Sequence, residues 1–371
     1  MQVVRVLAAV VGAVIALATG LSIVRTLVIP RSRPGGVSRV VDRTVDRVFA
    51  FAAQRRHRYE DRDRLLSGQA AGFLVGLLVT WLTGFLAAFT LMLWPWTGSL
   101  GRSARQSISS LFTLGFDSSR GGAPTALDGL AAACGLVVVA VLIAYLPTLY
   151  AAFNRRETEV TLLDARAGSP PWGPELLART RYGMQTRTDD LPAFYAEWER
   201  WAADVAESHA TFPVLVRFRS PQPMTSWLVA LLAVMDSAAM YLALCPSRER
   251  YEVRMCLRMG FTALRQIAVA VGVPVDDDPD PDAPVELTYE EFLAGVARLT
   301  EVGFPIERTG EEAWPHFRGW RVNYEDIAYR LARATDAVPA LWSGTRRWPS
   351  QPMAPHRPVA RAPGPSGGAT S

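Results

Sequence analysis

The sequence predicts an all-α membrane protein with three transmembrane helices, a re-entrant loop between the second and third helices, and a helical cytoplasmic domain. Half of the 371 residues are hydrophobic and the mean hydropathy is +0.12. This composition is more apolar than that of ordinary soluble proteins. Three uncharged runs are long enough to cross a bilayer core. The C-terminal half instead carries amphipathic helical patterns.

The first apolar run occupies residues 6–24 and lies within a predicted N-terminal segment 1–30. It contains no charge, and Arg5 and Arg25 flank it. A cleaved signal peptide is the alternative to a transmembrane helix. We favour the uncleaved helix because the run is longer than a usual signal-peptide core and only Arg5 precedes it.

Residues 31–66 form a basic segment that carries ten arginines and five acidic residues. Loops rich in arginine stay in the cytoplasm, so the N-terminus is predicted to lie outside. Apolar residues recur there at helical spacing, which predicts an amphipathic helix. That helix either lies on the inner leaflet or is a solvated connection between two spans. The recurring residues are Val37, Val40, Val41, Val45, Val48 and Ala52.

Residues 67–153 hold the other two apolar runs, at 69–93 and 129–153. With the basic segment inside, the second helix leads outward and the third returns. Residues 94–124 are then outside, and everything after 154 is cytoplasmic. The predicted location is the cytoplasmic membrane, with several passes.

The outer segment 98–122 combines a short helix with a Thr-x-Gly-aromatic sequence. Ser103 and Gln106 have capping-box spacing, which predicts a helix running to about Phe112. The sequence Thr-Leu-Gly-Phe-Asp follows at 113–117. This plan resembles the two-helix pore-loop cation channels of the potassium channel superfamily, whose filter reads Thr-Val-Gly-Tyr-Gly and is usually followed by Asp.

The resemblance implies a selectivity filter and a homotetramer. Four consecutive residues would each offer a backbone carbonyl to a dehydrated cation. The filter would comprise Thr113, Leu114, Gly115, Phe116 and Asp117. The second filter glycine is absent, because Asp117 follows Phe116 directly. The expected permeant ions are therefore potassium or other monovalent cations.

The third helix contains two residues at which a gating helix would bend. Gly135 lies in its outer half, and Pro147 lies near its inner end. Proline removes a helix hydrogen bond, so a kink or hinge is predicted there. The inner helices would then converge near residues 145–150. The alternative is that Pro147 simply ends the span.

The rest of the chain is predicted to be a linker at 154–188, a helical cytoplasmic domain at 189–344 and a disordered tail at 345–371. In the domain, Phe194, Trp198, Trp201 and Val205 share one helix face. Thr288 and Glu291 have capping-box spacing at the start of another helix, and Asn323 is predicted to cap a last one. Residues 227–244 are almost wholly apolar and form either a buried core helix or a fourth span. Asp236 at their centre favours the core helix, because a carboxylate is costly in lipid.

No sequence motif indicates an enzyme, a cofactor or a nucleic-acid partner. The three cysteines lack CxxC spacing, the four histidines are isolated, and no phosphate-binding loop or nucleophile motif occurs. The expected function is a tetrameric cation channel in contact with membrane lipid, and its only metal ions would be permeant ones. The alternative is a non-conducting, membrane-anchored regulator or scaffold with a degenerate pore loop. The ligand or partner of the cytoplasmic domain is not indicated.

Overall fold

The computed structural model describes residues 2–27, 29, 35–181, 190–248 and 250–357, and no β-strand occurs within these ranges. The helices are α1 (Gln2–Leu27), α2 (Gly36–Ala53), α3 (Tyr59–Leu66), α4 (Gln69–Thr97), α5 (Leu100–Leu111), α6 (Gly122–Ala167), α7 (Gly173–Arg179), α8 (Leu191–Thr211), α9 (Trp227–Leu244), α10 (Tyr251–Val271), α11 (Tyr289–Glu301), α12 (Gly310–Arg321) and α13 (Glu325–Thr335). Four helical segments are long and apolar enough to cross a membrane, namely Gln2–Leu27, Tyr59–Thr97, Gly122–Ala167 and Trp227–Leu244. The all-helical prediction is confirmed for the described residues, and these apolar helices are compatible with a membrane protein.

The chain divides into two compact units. The N-terminal unit comprises residues 1–156 and 205–219, and the C-terminal unit comprises 157–204 and 220–371. The N-terminal unit therefore includes a short segment that is distant in sequence, namely the end of α8 and the residues that follow it. The sequence patterns had assigned that segment to the C-terminal domain.

In the N-terminal unit, α1 and α4 pack as an antiparallel pair. Arg5, near the start of α1, donates to the carbonyl of Gly98 just beyond the end of α4, at 3.1 Å. Towards the other end of α1, Ser22 accepts from the indole of Trp81 at 3.2 Å. A Cβ on Gly12 would lie 2.5 Å from a backbone oxygen of α4, so the missing side chain permits the close approach. The start of α1 and the segment after α4 thus lie at one end of the unit, here called the loop end.

At the opposite end, α2 lies along the first turns of α4. Val41 packs against Gly76, and Phe49 packs against Gly72 and Gly68, so the two helices run antiparallel. The predicted basic amphipathic segment is therefore two helices, α2 and α3. Its residues 31–34 lie outside the described part of the chain.

In the C-terminal unit, α9 is the central helix. Every one of its residues is buried, including Asp236, and α7, α10, α12 and α13 pack around it. Arg321 and Tyr324 both donate to the carboxylate of Asp236, so this buried charge has both a cationic and a neutral donor. This burial is compatible with the favoured core helix, but α9 is also long and apolar enough to cross a membrane, so the choice between a core helix and a fourth span stays a prediction.

Residues 345–357, assigned by composition to the tail, pack on the C-terminal unit. The guanidinium of Arg346 donates to the carbonyls of Ala337, Val338 and Ser343. The backbone amide of His356 donates to the carbonyl oxygen of Ser169 at 3.1 Å. Buried hydrogen bonds hold this segment without regular secondary structure. The tail from 358 onward lies outside the described residues.

Helix caps gave mixed results as predictors of helix ends. The capping box of Thr288 and Glu291 is present at the start of α11, and the predicted aromatic face of α8 is buried. Asn323 does not cap α13, which begins at Glu325. Its side chain instead donates to two carbonyls in the last turn of α12.

Candidate functional site

The candidate site is α5 and the loop that follows it, residues 112–121. α5 begins at Leu100, one turn earlier than the capping-box spacing predicted, and Ser99 precedes it without a side-chain cap. The predicted end of the helix near Phe112 is confirmed, but its predicted start is wrong because Ser103 has a different partner. Its hydroxyl lies 2.5 Å from that of Thr97 and donates to the carbonyl of Ser99.

The C-terminal end of α5 lies directly against Gly135 of α6. A Cβ at Gly135 would overlap the carbonyl oxygen of Leu111, well inside the 3.0 Å that real Cβ atoms respect. Gly135 is thirteen residues after Gly122, the first residue of α6, which corresponds to a rise of about 20 Å. The last turn of α5 therefore lies alongside the interior of α6, and the loop returns from there to the start of α6.

The loop turns its backbone N–H groups toward the last turn of α5. The amides of Leu114 and Gly115 both donate to the carbonyl of Ser109, at 2.7 and 3.4 Å, and the amide of Asp117 donates to the Ser109 hydroxyl at 2.9 Å. Thr113 and Gly115 have φ values of +55° and +70°. Within the described part of the chain, the carbonyls of residues 113–116 accept no hydrogen bond. Four consecutive acceptors are thus left open.

A polar network holds the loop to α5 and α6. Asp128 of α6 accepts from Gln106 at 2.8 Å and from Ser110 at 2.7 Å. The hydroxyl of Ser119 donates to Gln106 at 2.6 Å. These polar residues bind α5 to the first turns of α6 while leaving the outer side of the loop exposed.

An ion pair links α5 to the part of the loop that contains Phe116 and Asp117. Arg105 lies 3.3 Å from the carboxylate of Asp117, and its guanidinium sits 5.3 Å from the ring centre of Phe116. Neither the ion pair of Arg105 nor the hydrogen bonds that Asp128 accepts from Gln106 and Ser110 are predicted from the sequence. The available signal was a run of polar residues on one face of a short helix between two apolar ones.

The predicted filter residues are brought together, and they lie on the surface of the single chain. Apolar side chains are unusually exposed there, and more exposed apolar residues follow along α6. On α5 and the loop the exposed apolar residues are Leu100, Phe112, Leu114 and Phe116. On α6 they include Leu130, Leu136, Val137 and Ile143.

The two predicted hinge residues lie within an unbroken helix. α6 runs from Gly122 to Ala167 through both Gly135 and Pro147. Gly135 provides the space for Leu111, as described above, and Pro147 is exposed. In the region predicted to form a gate, the ring of Tyr145 packs edge-on against Phe212 at 5.4 Å.

Residues 212–219, here called the strap, pack against residues 145–156 of α6, here called the far end of α6, within the N-terminal unit. The buried guanidinium of Arg156 donates to the carbonyls of Leu215 and Phe218, at 2.9 and 2.8 Å, and lies 3.0 Å from Nε2 of His209. Burial, together with the charge of Arg156, holds the pKa of His209 well below its usual value. The neutral ring therefore accepts a hydrogen bond from Arg156.

The strap also binds α2 and α3 through two arginines. Arg217 pairs with Asp42 at 2.8 Å and lies 3.5 Å from Asp46. Arg219 pairs with Asp63 at 2.6 Å. The strap therefore connects the end of α6 to the basic helices that precede α4.

The C-terminal unit contains buried charges that act structurally. Glu175 lies between Arg298 and Arg179. Burial raises the pKa of its carboxyl, but the hydrogen bonds from these arginines outweigh burial and hold the pKa below its usual range. In the described ranges, no group of three or more metal-ligating side chains is found.

Comparisons of the chain with protein-family models, with curated proteins and with solved structures find no match.

Proposed function

We propose that the protein is a homotetrameric pore-loop channel that passes potassium or other monovalent cations across the cytoplasmic membrane. One observation carries the proposal. A short helix ends deep alongside α6, at Gly135, and the returning loop fixes its amides on that helix, which leaves the carbonyls of residues 113–116 open. Carbonyl oxygens presented in this way replace the hydration shell of a cation.

The backbone of the loop suits this role. Irregular backbone at membrane depth is tolerated where it lines a water-filled cavity. Gly115 adopts a positive φ without steric cost. The C-terminal end of α5 contributes a partial negative charge beside the loop, which favours a cation.

A single loop cannot enclose an ion, so the pore requires further copies of the chain. The exposed apolar residues of α5, the loop and α6 supply a surface that four copies would cover around a central axis. The missing second glycine and the pairing of Asp117 with Arg105 alter the outermost position of the filter.

The proposed orientation follows from the distribution of arginine. The loop end would face outward, and the end that carries α2, α3 and the strap would face the cytoplasm, because basic residues are retained there. Nine exposed or half-buried arginines of residues 35–66 and the strap lie at that end, namely Arg39, Arg43, Arg47, Arg55, Arg56, Arg58, Arg64, Arg217 and Arg219. The gate would lie at the same end, where Tyr145 meets the strap, and the C-terminal unit would be cytoplasmic.

Potassium efflux from liposomes tests the proposal. The full-length protein is reconstituted in potassium-loaded vesicles with sodium outside, and Gly115→Val is compared with Gly122→Val. Valine at Gly115 is strained by the positive φ, whereas Gly122 has open space around it and no such φ. We expect efflux from the native protein and from Gly122→Val, and none from Gly115→Val.

Size in mild detergent separates the channel from the alternative, a membrane-anchored regulator. A pore requires a particle of four 40.6 kDa chains. A folded monomer or dimer without efflux would refute the channel and favour the regulator. A folded tetramer whose efflux is equal in the two glycine variants would refute the assignment of the filter.

A further inference from the structure

The exposed face of α2 carries a row of arginines beside a row of apolar side chains. Arg39, Arg43 and Arg47 are spaced four residues apart, are exposed, and have no ion-pair partner in the described part of the chain. Val40 and Val48, next to them, are 62% and 61% exposed. Phe51, one turn further on, is 59% exposed. This is an unusual surface for a helix whose other face already packs on α4.

The acidic residues of α2 do not neutralise this face. Asp42 and Asp46 turn toward the strap, where Arg217 pairs with both. Gln69 of α4 also donates to Asp46 at 3.2 Å. The ion pairs of the strap thus separate the charges of α2, leaving one face on which every charged side chain is an arginine.

The position of α2 indicates what covers that face. Its inner side packs against Gly72 and Gly76, in the first turns of an apolar helix long enough to span a membrane. A helix held at this level meets the boundary between lipid headgroups and acyl chains. Arginine there extends its guanidinium to phosphate and binds it in a bidentate manner, while the neighbouring apolar side chains enter the hydrocarbon.

We propose that the exposed face of α2 is a docking surface for anionic phospholipid headgroups, formed by Arg39, Arg43 and Arg47 with Val40, Val48 and Phe51. Lipid bound there acts on the far end of α6 through Arg217 and the strap. This second step rests on the proposed channel function, whereas the docking surface does not.

Lipid binding to the full-length protein in mild detergent tests the surface. Fluorescence anisotropy follows a labelled short-chain phosphatidylglycerol, with labelled phosphatidylcholine as the neutral comparison. The triple variant R39Q/R43Q/R47Q is compared with R56Q/R58Q/R64Q, which removes the same charge from exposed positions outside this face. Each arginine near an anionic membrane changes affinity about fivefold.

We expect the native protein to prefer phosphatidylglycerol, and the α2 variant to weaken its binding by at least tenfold. The control variant should weaken it by less than threefold. Glycerol phosphate in solution should not displace the lipid, because it lacks acyl chains for the apolar row. Equal affinity for the two lipids, or equal effects of the two triple variants at native elution volume, would overturn the proposal.

A second variant and a flux measurement separate this proposal from the channel. The double variant Val40→Asn, Val48→Asn should weaken the binding of both lipids, because it removes the apolar contact with their acyl chains. Potassium efflux is then compared between vesicles with and without phosphatidylglycerol. Lipid binding without efflux in any vesicle would leave the surface standing and refute the channel. Efflux that is unchanged by phosphatidylglycerol and is the same in the native protein and the α2 variant would refute the coupling through the strap.

Discussion

Gly135 of α6 is the residue against which the end of α5 packs, and replacing it by alanine tests the architecture of the loop. A methyl group there would overlap the carbonyl oxygen of Leu111. A backbone carbonyl at a helix end cannot rotate away as a flexible side chain can. The last turn of α5 would have to move away from α6. That turn contains Ser109, whose oxygens accept the hydrogen bonds donated by the loop amides.

Gly129 provides a matched control on the same helix. Nothing lies within 4 Å of a Cβ built at that position. Both substitutions gain the helix propensity of alanine over glycine, about 1 kcal/mol. Overpacking costs about 1–3 kcal/mol, so Gly135→Ala should be less stable than Gly129→Ala by about that amount.

Thermal unfolding of the full-length variants in detergent measures this difference, and potassium efflux measures its consequence for the loop. We expect Gly135→Ala to unfold at a lower temperature than Gly129→Ala and to show reduced efflux. Equal unfolding temperatures would refute the packing argument. Equal stability with altered efflux would instead identify Gly135 as a flexible hinge of the helix.

Two further predictions concern the C-terminal unit. Arg321→Met leaves the carboxylate of Asp236 buried without its charge partner and should cost about 3–5 kcal/mol, measured by thermal unfolding. Arg330→Met, which removes an exposed arginine of α13, should cost less than about 1 kcal/mol; equal losses would contradict the burial argument. Burial raises the pKa of Asp164 to about 6, above its unfolded value of about 3.9, so stability is lost as pH rises through 6. Asp164→Asn, which can still accept from Thr225, should therefore stabilise the protein at pH 8 but not at pH 4, and a difference independent of pH would contradict this.

Features set by local periodicity could be predicted from the sequence. The three uncharged runs each lie within a helix, and the aromatic residues of α8 share a buried face. The capping box of α11 was visible because its partners are three residues apart. The box of Thr309 and Glu312, which opens α12, has the same spacing and was missed.

Features set by contacts distant in sequence could not be predicted. Ser103 has capping-box spacing, but its contact with Thr97 places it inside α5. Composition assigned Arg346 to a disordered tail, whereas carbonyls presented by a folded turn hold it. In each case the residue's partner is fixed only when separate elements pack together.

The sequence by itself determined the helical class, the apolar runs and the position of the Thr-Leu-Gly-Phe-Asp segment, because hydrophobic period and local residue type depend on neighbours along the chain. Tertiary structure alone decided that Gly135 receives the end of α5, that Asp128 holds Gln106 and Ser110, and that the strap returns to the N-terminal unit. These contacts join residues separated by many positions, and no local pattern encodes which distant group will satisfy a buried carbonyl or charge.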